Sequence, residues 1–238
     1  MAPTMNASAA HAECDEPTKA RMRPARVEFV AEMSMNKVIH GAVRRDISRF
    51  LDALDTFAEG DRDRAEQLAT AWANFDDQLT RHHESEPEIA WPALEAIGVS
   101  RELLGQMDEE HDRLAKALAA TRAAIAALKR SASAADADAA REAVATLHAV
   151  AVEHLDHEEA ELEPIYLTKR DDPTIKSMNR RFGRVSPPVA GTFFAWVSNG
   201  ATPEELATIK SNVPGPVLAI IGGVFGRKYR REVASVWR

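Results

Sequence analysis

Apolar residues recur every three or four positions along four long stretches of the chain, which predicts four amphipathic helices. The first stretch covers about residues 27–57, and the second runs to Ile89. The third begins after Ser100, a residue suited to cap a helix N-terminus. A segment rich in Ser, Ala and Asp, residues 131–138, predicts the turn into the fourth helix. Four such helices with short connections predict an all-α fold, an antiparallel four-helix bundle.

Histidine and glutamate occupy several positions of these stripes that would otherwise be apolar. Burying such side chains is costly unless they are paired or bound to a metal ion. One histidine on an apolar stripe is more often a core residue than a ligand, but here the pattern extends over all four stripes. The residues concerned, called below the six predicted ligands, are His40, His82, Glu86, His111, His154 and Glu158.

The two halves of the bundle repeat each other with a spacing of 71 or 72 residues. Each half has one isolated His, then a His-x-x-x-Glu pair, then a Pro ten residues after the His of that pair. The matching positions are His40 and His111, His82 and His154, Glu86 and Glu158, and Pro92 and Pro164. A His and a Glu four residues apart lie on one helix face, so two related hairpins would bring all six side chains to one level.

Four imidazoles and two carboxylates suit iron, manganese or zinc. Six donors exceed the roughly four that a single tetrahedral zinc needs. Two octahedral ions need about twelve donor positions, of which the imidazoles, two bridging carboxylates and a bridging oxygen fill about ten. The rest would be free for water or for dioxygen, peroxide or nitric oxide. The count favours two non-haem iron ions with a bridging oxygen, and it fits manganese as well.

The arrangement of these residues over about residues 30–168 resembles the hemerythrin family, in particular the bacterial hemerythrin-like HHE cation-binding domains. The resemblance implies that the six predicted ligands hold two non-haem irons bridged by an oxygen and by both carboxylates. Oxygen-transport members add a fifth His on the third helix, where this chain has Ala115. The four-His, two-Glu set is similar to members associated with nitric oxide stress, iron-centre repair or peroxide handling. The cysteine-bearing N-terminal domain of the repair proteins has no counterpart in this sequence.

Other polar residues near the six predicted ligands are not assigned to the site. His83 and His157 adjoin predicted ligands but lie outside the repeat. Pro87 should remove a helical hydrogen bond to the carbonyl of His83 and bend the second helix. Three charged residues of the first helix are predicted to form solvent-exposed ion pairs: Arg44, Arg45 and Asp46.

Charge divides the chain into two unequal parts. Residues 169–238 hold 12 basic and 5 acidic residues, a net charge of +7, whereas residues 1–168 hold 18 and 32, a net charge of −14. The predicted domains are a disordered tail over 1–26, the bundle over 27–168 and an extension of short helices over 169–238. The extension's basic and apolar residues favour packing on the acidic bundle. Docking to an acidic protein partner or an anionic membrane, and self-association, are the alternatives.

Composition excludes several classes of protein. The net charge of −7 does not favour nucleic-acid binding, and one cysteine excludes an intramolecular disulfide. No segment approaches the about 20 apolar residues of a transmembrane helix, and residues 1–26 lack the apolar core of a secretory signal. We therefore expect a cytoplasmic protein.

The leading functional hypothesis is a diiron protein that binds a small diatomic ligand or peroxide as a sensor, buffer or scavenger. One alternative is an enzyme that detoxifies peroxide or nitric oxide at the same centre. The other is an interaction module in which the metal braces the bundle and the C-terminal extension binds a partner.

Overall fold

The computed structural model describes Met1 and residues 33–238. The predicted tail over 1–26 and the predicted start of the first helix therefore lie outside the described residues, apart from Met1. Every regular element among the described residues is a helix of α, π or 3-10 type. This confirms the all-α prediction.

Four long helices form the body of the molecule, and a π-helical turn with a short helix follows the second of them. In chain order the elements are α1 (Met35–Asp55), α2 (Arg62–Ser85), a π-helical turn (Glu86–Ala90), α3 (Trp91–Ala96), α4 (Arg101–Ser131) and α5 (Ala134–Thr168). The Ser100 hydroxyl accepts a hydrogen bond from the Leu103 amide, so Ser100 caps α4 as predicted.

The turn between α4 and α5 is shorter than predicted. The sequence predicted a turn over residues 131–138, but only Ala132 and Ser133 separate the two helices. Ala132 adopts the left-handed conformation, with φ of 53°, that ends many helices. The Ser133 hydroxyl accepts a hydrogen bond from the Asp136 amide, so α5 begins inside the predicted turn.

Polar contacts between neighbouring helices show that these helices run in opposite directions. Along each pair, the contacting residue numbers rise on one helix as they fall on the other. The pairs are Ser34–Glu163 and Asp55–Arg141 between α1 and α5, and Glu66–Lys129 and Asp76–Arg122 between α2 and α4. The contacts therefore fit the predicted antiparallel arrangement.

The apolar stripes form two separate clusters inside the bundle. The larger contains residues such as Phe50, Phe75 and Leu79, and continues along α4 from Leu114. The smaller cluster contains residues of α3 together with others on α4, α5 and α6, among them Leu94, Leu104, Met107, Leu162 and Ile175. Five of the six predicted ligands fall between the two clusters along α2 with its π-helical turn, α4 and α5, and His40 lies on α1 beside the larger cluster. Apolar side chains therefore close the site above and below.

The residues after α5 form short helices that pack against the bundle. They are α6 (Pro173–Phe182), α7 (Pro187–Ser198), α8 (Pro203–Asn212), α9 (Gly215–Ile220), a second π-helical turn (Ile221–Phe225), α10 (Arg227–Glu232) and a 3-10 turn (Ala234–Trp237). Thr202 and Glu205 form a reciprocal capping box at the start of α8. No helix within residues 33–238 combines the length and the apolar character needed to cross a bilayer.

The contact between the extension and the bundle is centred on Trp196. Its side chain is fully buried in the larger apolar cluster, and its indole Nε1 donates a hydrogen bond of 2.8 Å to Asp46 Oδ2. Arg45 donates a hydrogen bond of 3.1 Å to the Trp196 carbonyl. The prediction of a solvent-exposed ion pair was wrong for Asp46, because α7 covers it; Asp46 is 1% exposed and also pairs with Arg49.

Candidate metal centre

The six predicted ligands converge at one level of the bundle. Each of the four long helices contributes at least one of them, and Glu86 begins the π-helical turn that follows α2. All are buried except His111, whose side chain is 11% exposed. The structure thus brings together all six predicted ligands.

The Glu86 carboxylate lies between histidines of two different helices. Its Oε1 atom is 3.3 Å from Nε2 of His82, and its Oε2 atom is 3.2 Å from Nε2 of His111. Nε2 of His111 is in turn 3.2 Å from Nε2 of His154. One carboxylate therefore spans the space between α2 and α4.

Glu158 occupies the corresponding position between α1 and α5. Its Oε2 atom is 3.1 Å from Nε2 of His40 and 4.0 Å from Nε2 of His154. Its other oxygen, Oε1, accepts a hydrogen bond of 2.9 Å from the Asn36 amide. The two carboxylates that the repeat pairs are thus both placed among imidazoles from different helices.

The donor atoms fall into two groups, within each of which every atom lies within 4.8 Å of the others. The members are His40, His82 and Glu158 in the first group, and His83, Glu86, His111 and His154 in the second. All seven residues except His111 are buried. Imidazole and carboxylate donors gathered at this spacing can hold a cation in each group.

His83 is the residue that the repeat did not identify. Its side chain is buried, and its ring centroid is 4.6 Å from that of His111 and 5.2 Å from that of His154. The signal in the sequence was the doublet His82-His83 itself. Consecutive residues of a helix point about 100° apart, so two neighbouring histidines can face two adjacent groups of donors.

The π-helical turn places Glu86. Pro87 has no amide hydrogen, so it cannot make the α-helical bond to the His83 carbonyl, as the sequence predicted. The wider turn is closed by the Trp91 amide, which donates to the Glu86 carbonyl five residues earlier. Such π turns occur often at functional sites. In this chain the π-helical turn begins at Glu86, one of the six predicted ligands.

On the α1 side, hydrogen bonds from outside the site orient the ring of His40. Nδ1 of His40 is 3.1 Å from a Glu159 oxygen, and Arg44 donates a bond of 2.5 Å to the same carboxylate. Arg44 thus pairs with a residue that contacts the site, in addition to an exposed pair with Asp156. The prediction of exposed ion pairs missed this contact.

Glu110 plays the same part on the α5 side. One of its oxygens is 2.9 Å from Nδ1 of His154, and the other is 2.8 Å from Nδ1 of His157. His157 therefore contacts Glu110 and lies outside both donor groups. When Nδ1 is engaged in this way, Nε2 of the same ring faces inward with its lone pair available to a cation.

Several inward-facing atoms have no hydrogen-bond partner among the described residues. They are Nε2 of His40, His82 and His83, both carboxylate oxygens of Glu86, and Oε2 of Glu158. Buried polar atoms are otherwise nearly always hydrogen-bonded, because leaving one without a partner costs about 1–3 kcal/mol. Their concentration at one level indicates a site built for something other than mutual hydrogen bonding.

Burial keeps most of the imidazoles in the form that binds metal. Burial, aided by the neighbouring His40, lowers the pKa of His82 to about 3. Burial also lowers the pKa of His83 well below its ordinary value and, together with His154, lowers that of His111 to about 4. A neutral imidazole has a free lone pair, so these rings are ready to bind a cation at neutral pH.

The pKa values of the two carboxyl groups, Glu86 and Glu158, shift in opposite directions. Burial raises the pKa of Glu86 well above its ordinary value, and the nearby Glu158 raises it further. Burial also acts to raise the pKa of Glu158, but the adjacent His40 outweighs it and lowers that pKa to about 2. Burial would lower the pKa of His40, yet Glu158 and Glu159 raise it. Without a cation, the directions of these pKa shifts favour an ion pair between His40 and Glu158 and the neutral form of Glu86.

The residues present fit metal binding. The buried atoms without partners are nitrogen and oxygen donors, and they face one another rather than a hydrophobic wall. Cations placed in the two groups would satisfy them and would ionise Glu86. The fold and this site together define a helical bundle with a buried His/Glu centre suited to cations.

Comparison with known families agrees with this description. A family model described as the hemerythrin HHE cation binding domain matches residues 36–166. The chain belongs to the hemerythrin family. No curated protein and no solved structure matches the chain significantly.

Proposed function

We propose that the protein is a non-haem diiron protein that binds dioxygen, nitric oxide or peroxide, as a sensor, buffer or scavenger. Membership of a cation-binding family does not specify the metal, the number of ions or the small ligand. The proposal adds these three. The observation that carries it is the position of Glu86, whose two oxygens approach histidines of the two different donor groups.

The placement of Glu86 favours two ions over one. A single ion would be served by either donor group alone, and the carboxylate would then turn both oxygens toward it. Glu86 instead directs one oxygen to His82 in the first group and the other to His111 in the second. A carboxylate in this position is suited to bridge two cations. Glu158 approaches both groups through a single oxygen, Oε2, which lies 3.1 Å from His40 in the first group and 4.0 Å from His154 in the second.

Iron fits the donor set and the surroundings. Imidazole with carboxylate is a donor combination that iron accepts, and the same donors would accept manganese. When bound, a pair of irons supplies open positions and electrons for a small oxygen or nitrogen ligand. The chain's own residues hold the imidazoles in place through Glu110 and Glu159 and exclude water with the two apolar clusters.

The burial of the site limits the ligand to a small one. His40, His154 and Glu158 are completely buried, so approach from α1 and α5 is blocked. The partial exposure of the His111 side chain places the nearest solvent on the α4 side. A diatomic molecule or peroxide can reach the site from the α4 side if the protein moves slightly, whereas a metabolite of ordinary size cannot.

Iron loading tests the proposal. The protein is reconstituted with ferrous iron without oxygen, and then iron content and absorption spectra are measured before and after adding oxygen, nitric oxide or peroxide. We expect about two irons per chain and oxygen-to-iron charge-transfer bands, both lost in His111→Ala and retained in the control His148→Ala, which lies on α5 outside both donor groups. Fewer irons with no such bands would refute the proposal.

The same preparations decide between the alternatives of the sequence analysis. Repeated release of oxygen from peroxide, abolished by His111→Ala, would favour an enzyme over a sensor or buffer. One reaction per centre would favour binding. A chain that loads iron but shows no spectral response to any of the three ligands would favour a metal-braced interaction module.

A further inference from the structure

We infer that His83 supplies a fifth imidazole to the metal centre, on the side of His111 and His154. The inference rests on the proposed function, because it assigns a ligand to the centre proposed there. His83 is buried, and one of its ring nitrogens belongs to the same 4.8 Å group of donors as Glu86, His111 and His154. Within the described residues, Nε2 of His83 has no hydrogen-bond partner.

The geometry of α2 explains how two consecutive histidines serve one centre. His82 belongs to the donor group of α1 and α5, with ring centroids of His40 and His82 5.3 Å apart. His83 turns toward α4, with ring centroids of His83 and His111 4.6 Å apart. The helix thus lies at the boundary of the two groups and contributes one imidazole to each.

The third helix of the bundle offers no replacement for this donor. Ala115 lies four residues after His111. At this position the oxygen-transport members of the family carry a further His. Ala115 is exposed and has no donor atom. With His83 included, the second group holds three imidazoles and the first holds two, so the two metal positions are chemically unequal.

A purely structural role for His83 makes the opposite prediction for metal-free protein. A structural imidazole would be hydrogen-bonded, and its replacement by Leu would destabilise the fold. A buried imidazole without a partner already destabilises the metal-free state, so an apolar side chain of similar size should be neutral or stabilising there. The two roles are therefore separated by comparing metal-free with iron-loaded protein.

The test compares His83→Leu with His148→Leu and with the unmodified full chain. We expect the metal-free melting temperature of His83→Leu to equal or exceed that of the unmodified chain. We also expect its affinity for the more weakly held iron to fall at least tenfold, with a changed Mössbauer spectrum; even an outer contact of a metal site typically changes affinity 10–100-fold. The His148→Leu control should keep the affinity and the spectrum.

Unchanged iron affinity and an unchanged spectrum in His83→Leu would overturn the inference. So would a lower metal-free melting temperature with iron binding intact, because that is the behaviour of a structural residue. If the unmodified chain binds no iron, the proposed function fails first. If it binds two irons and His83→Leu does the same, only the assignment of His83 fails.

A separate observation concerns the surface of α9, the second π-helical turn and α10. Three apolar side chains lie exposed there at helical spacing: Val217 is 41% exposed, Ile220 63% and Val224 50%. The same spacing continues into basic residues. The resulting C-terminal stripe consists of Val217, Ile220, Val224, Arg227, Lys228 and Arg231.

The opposite side of this segment faces the rest of the protein. Tyr229 is buried in the larger apolar cluster, and the backbone and Cβ of Phe225 lie so close to Gly191 of α7 that a Cβ there would clash, although the Phe225 side chain is 38% exposed. Arg230 donates hydrogen bonds to the carbonyls of Gly222 and Gly223. The segment is therefore anchored through one side, which leaves the C-terminal stripe directed outward.

We propose that the C-terminal stripe docks on an anionic lipid surface. An exposed apolar row followed by basic residues matches the membrane interface, where apolar side chains enter the acyl boundary and cations contact acidic headgroups. The side chains of Lys228 and Arg231 are 79% and 76% exposed, and both pair with Glu232. Together with Arg227 the three basic residues exceed that one carboxylate, so the basic end keeps a net charge of +2. A second copy of the chain is a poor occupant, since two such basic rows repel each other.

Vesicle sedimentation of the full chain tests this docking. We expect binding to phosphatidylcholine vesicles that contain phosphatidylglycerol and little binding to phosphatidylcholine alone. Replacing Arg227 and Lys228 by Gln should weaken binding about fivefold for each charge. Replacing Ile220 and Val224 by Ser should weaken it further, while the control Val185→Ser, at another exposed apolar position, should bind like the unmodified chain.

Three results would overturn the docking proposal. The first is absence of binding to the anionic vesicles. The second is equal binding to neutral and anionic vesicles, which would remove the role of the basic residues. The third is formation of a dimer that the Ile220 and Val224 replacements dissociate, which would make a second copy the occupant.

Discussion

The two carboxylates of the repeat should respond oppositely to the same substitution in metal-free protein. Glu86 and Glu158 occupy equivalent positions, but their surroundings differ. Glu158 accepts a hydrogen bond from Asn36 through Oε1, and its Oε2 lies 3.1 Å from Nε2 of His40, whose pKa is raised. Neither oxygen of Glu86 accepts a hydrogen bond within the described chain, and the imidazoles beside it, His82 and His111, have lowered pKa values. Replacing each by Gln keeps the shape and removes the charge.

The magnitudes follow from these contacts. Glu158→Gln removes the fully buried carboxylate beside His40 and leaves only the partly exposed Glu159 as its counter-ion. Breaking a buried pair completely costs about 3–5 kcal/mol, so we expect a loss up to that range. Glu86→Gln removes a carboxyl whose pKa burial raises well above its ordinary value. A group with a raised folded-state pKa destabilises the fold as pH rises above the unfolded pKa, so at pH 7 the neutral Gln should be neutral or stabilising. That gain should vanish below the ordinary Glu pKa of about 4.3.

Urea unfolding at pH 7 with a chelator present measures both effects, with the exposed Glu109→Gln as control. Both site variants should bind less iron than the control, although only Glu158→Gln loses stability without metal. A loss of stability in Glu86→Gln equal to that in Glu158→Gln would refute the reasoning. It would mean that Glu86 is already paired in the metal-free protein.

Three further predictions concern stability. Trp196→Ala should lower the free energy of unfolding by about 3–5 kcal/mol, because a fully buried indole is lost; urea unfolding measures this, with Trp196→Phe expected to lose less. Ser34→Ala should cost about 1–2 kcal/mol, because Ser34 caps α1 and bonds Glu163; a loss near zero by the same assay would contradict it. Removing iron from protein kept at free iron about 100-fold above the dissociation constant should lower stability by about 2.7 kcal/mol; calorimetry that shows no shift would contradict it.

The sequence predicted the helices well because their pattern is local. Apolar residues at steps of three and four encode one buried face, and Ser100 and Thr202 mark helix starts by hydrogen bonds within one turn. The turn over 131–138 was too long because Ala132 and Ser133 suffice to reverse the chain. A run of small polar residues in the sequence does not show which of them caps the next helix.

The candidate site was predicted through its repeat, and its exceptions lie where the repeat gives no information. The repeat can only identify residues that both halves share, so it left out His83, whose counterpart 72 residues later is Leu155. Glu110 and Glu159 escaped notice for the same reason. Their role depends on which histidine ring lies beside them, and that depends on packing between helices.

The sequence by itself determined that four amphipathic helices carry six histidine and glutamate residues in register, since helical periodicity converts spacing into a common face. The tertiary structure alone decided how those faces meet. It placed His83 beside His111, directed the two oxygens of Glu86 to different helices and covered Asp46 with Trp196. The physical reason is that contacts between helices depend on their rotation and separation, which no local pattern of residues encodes.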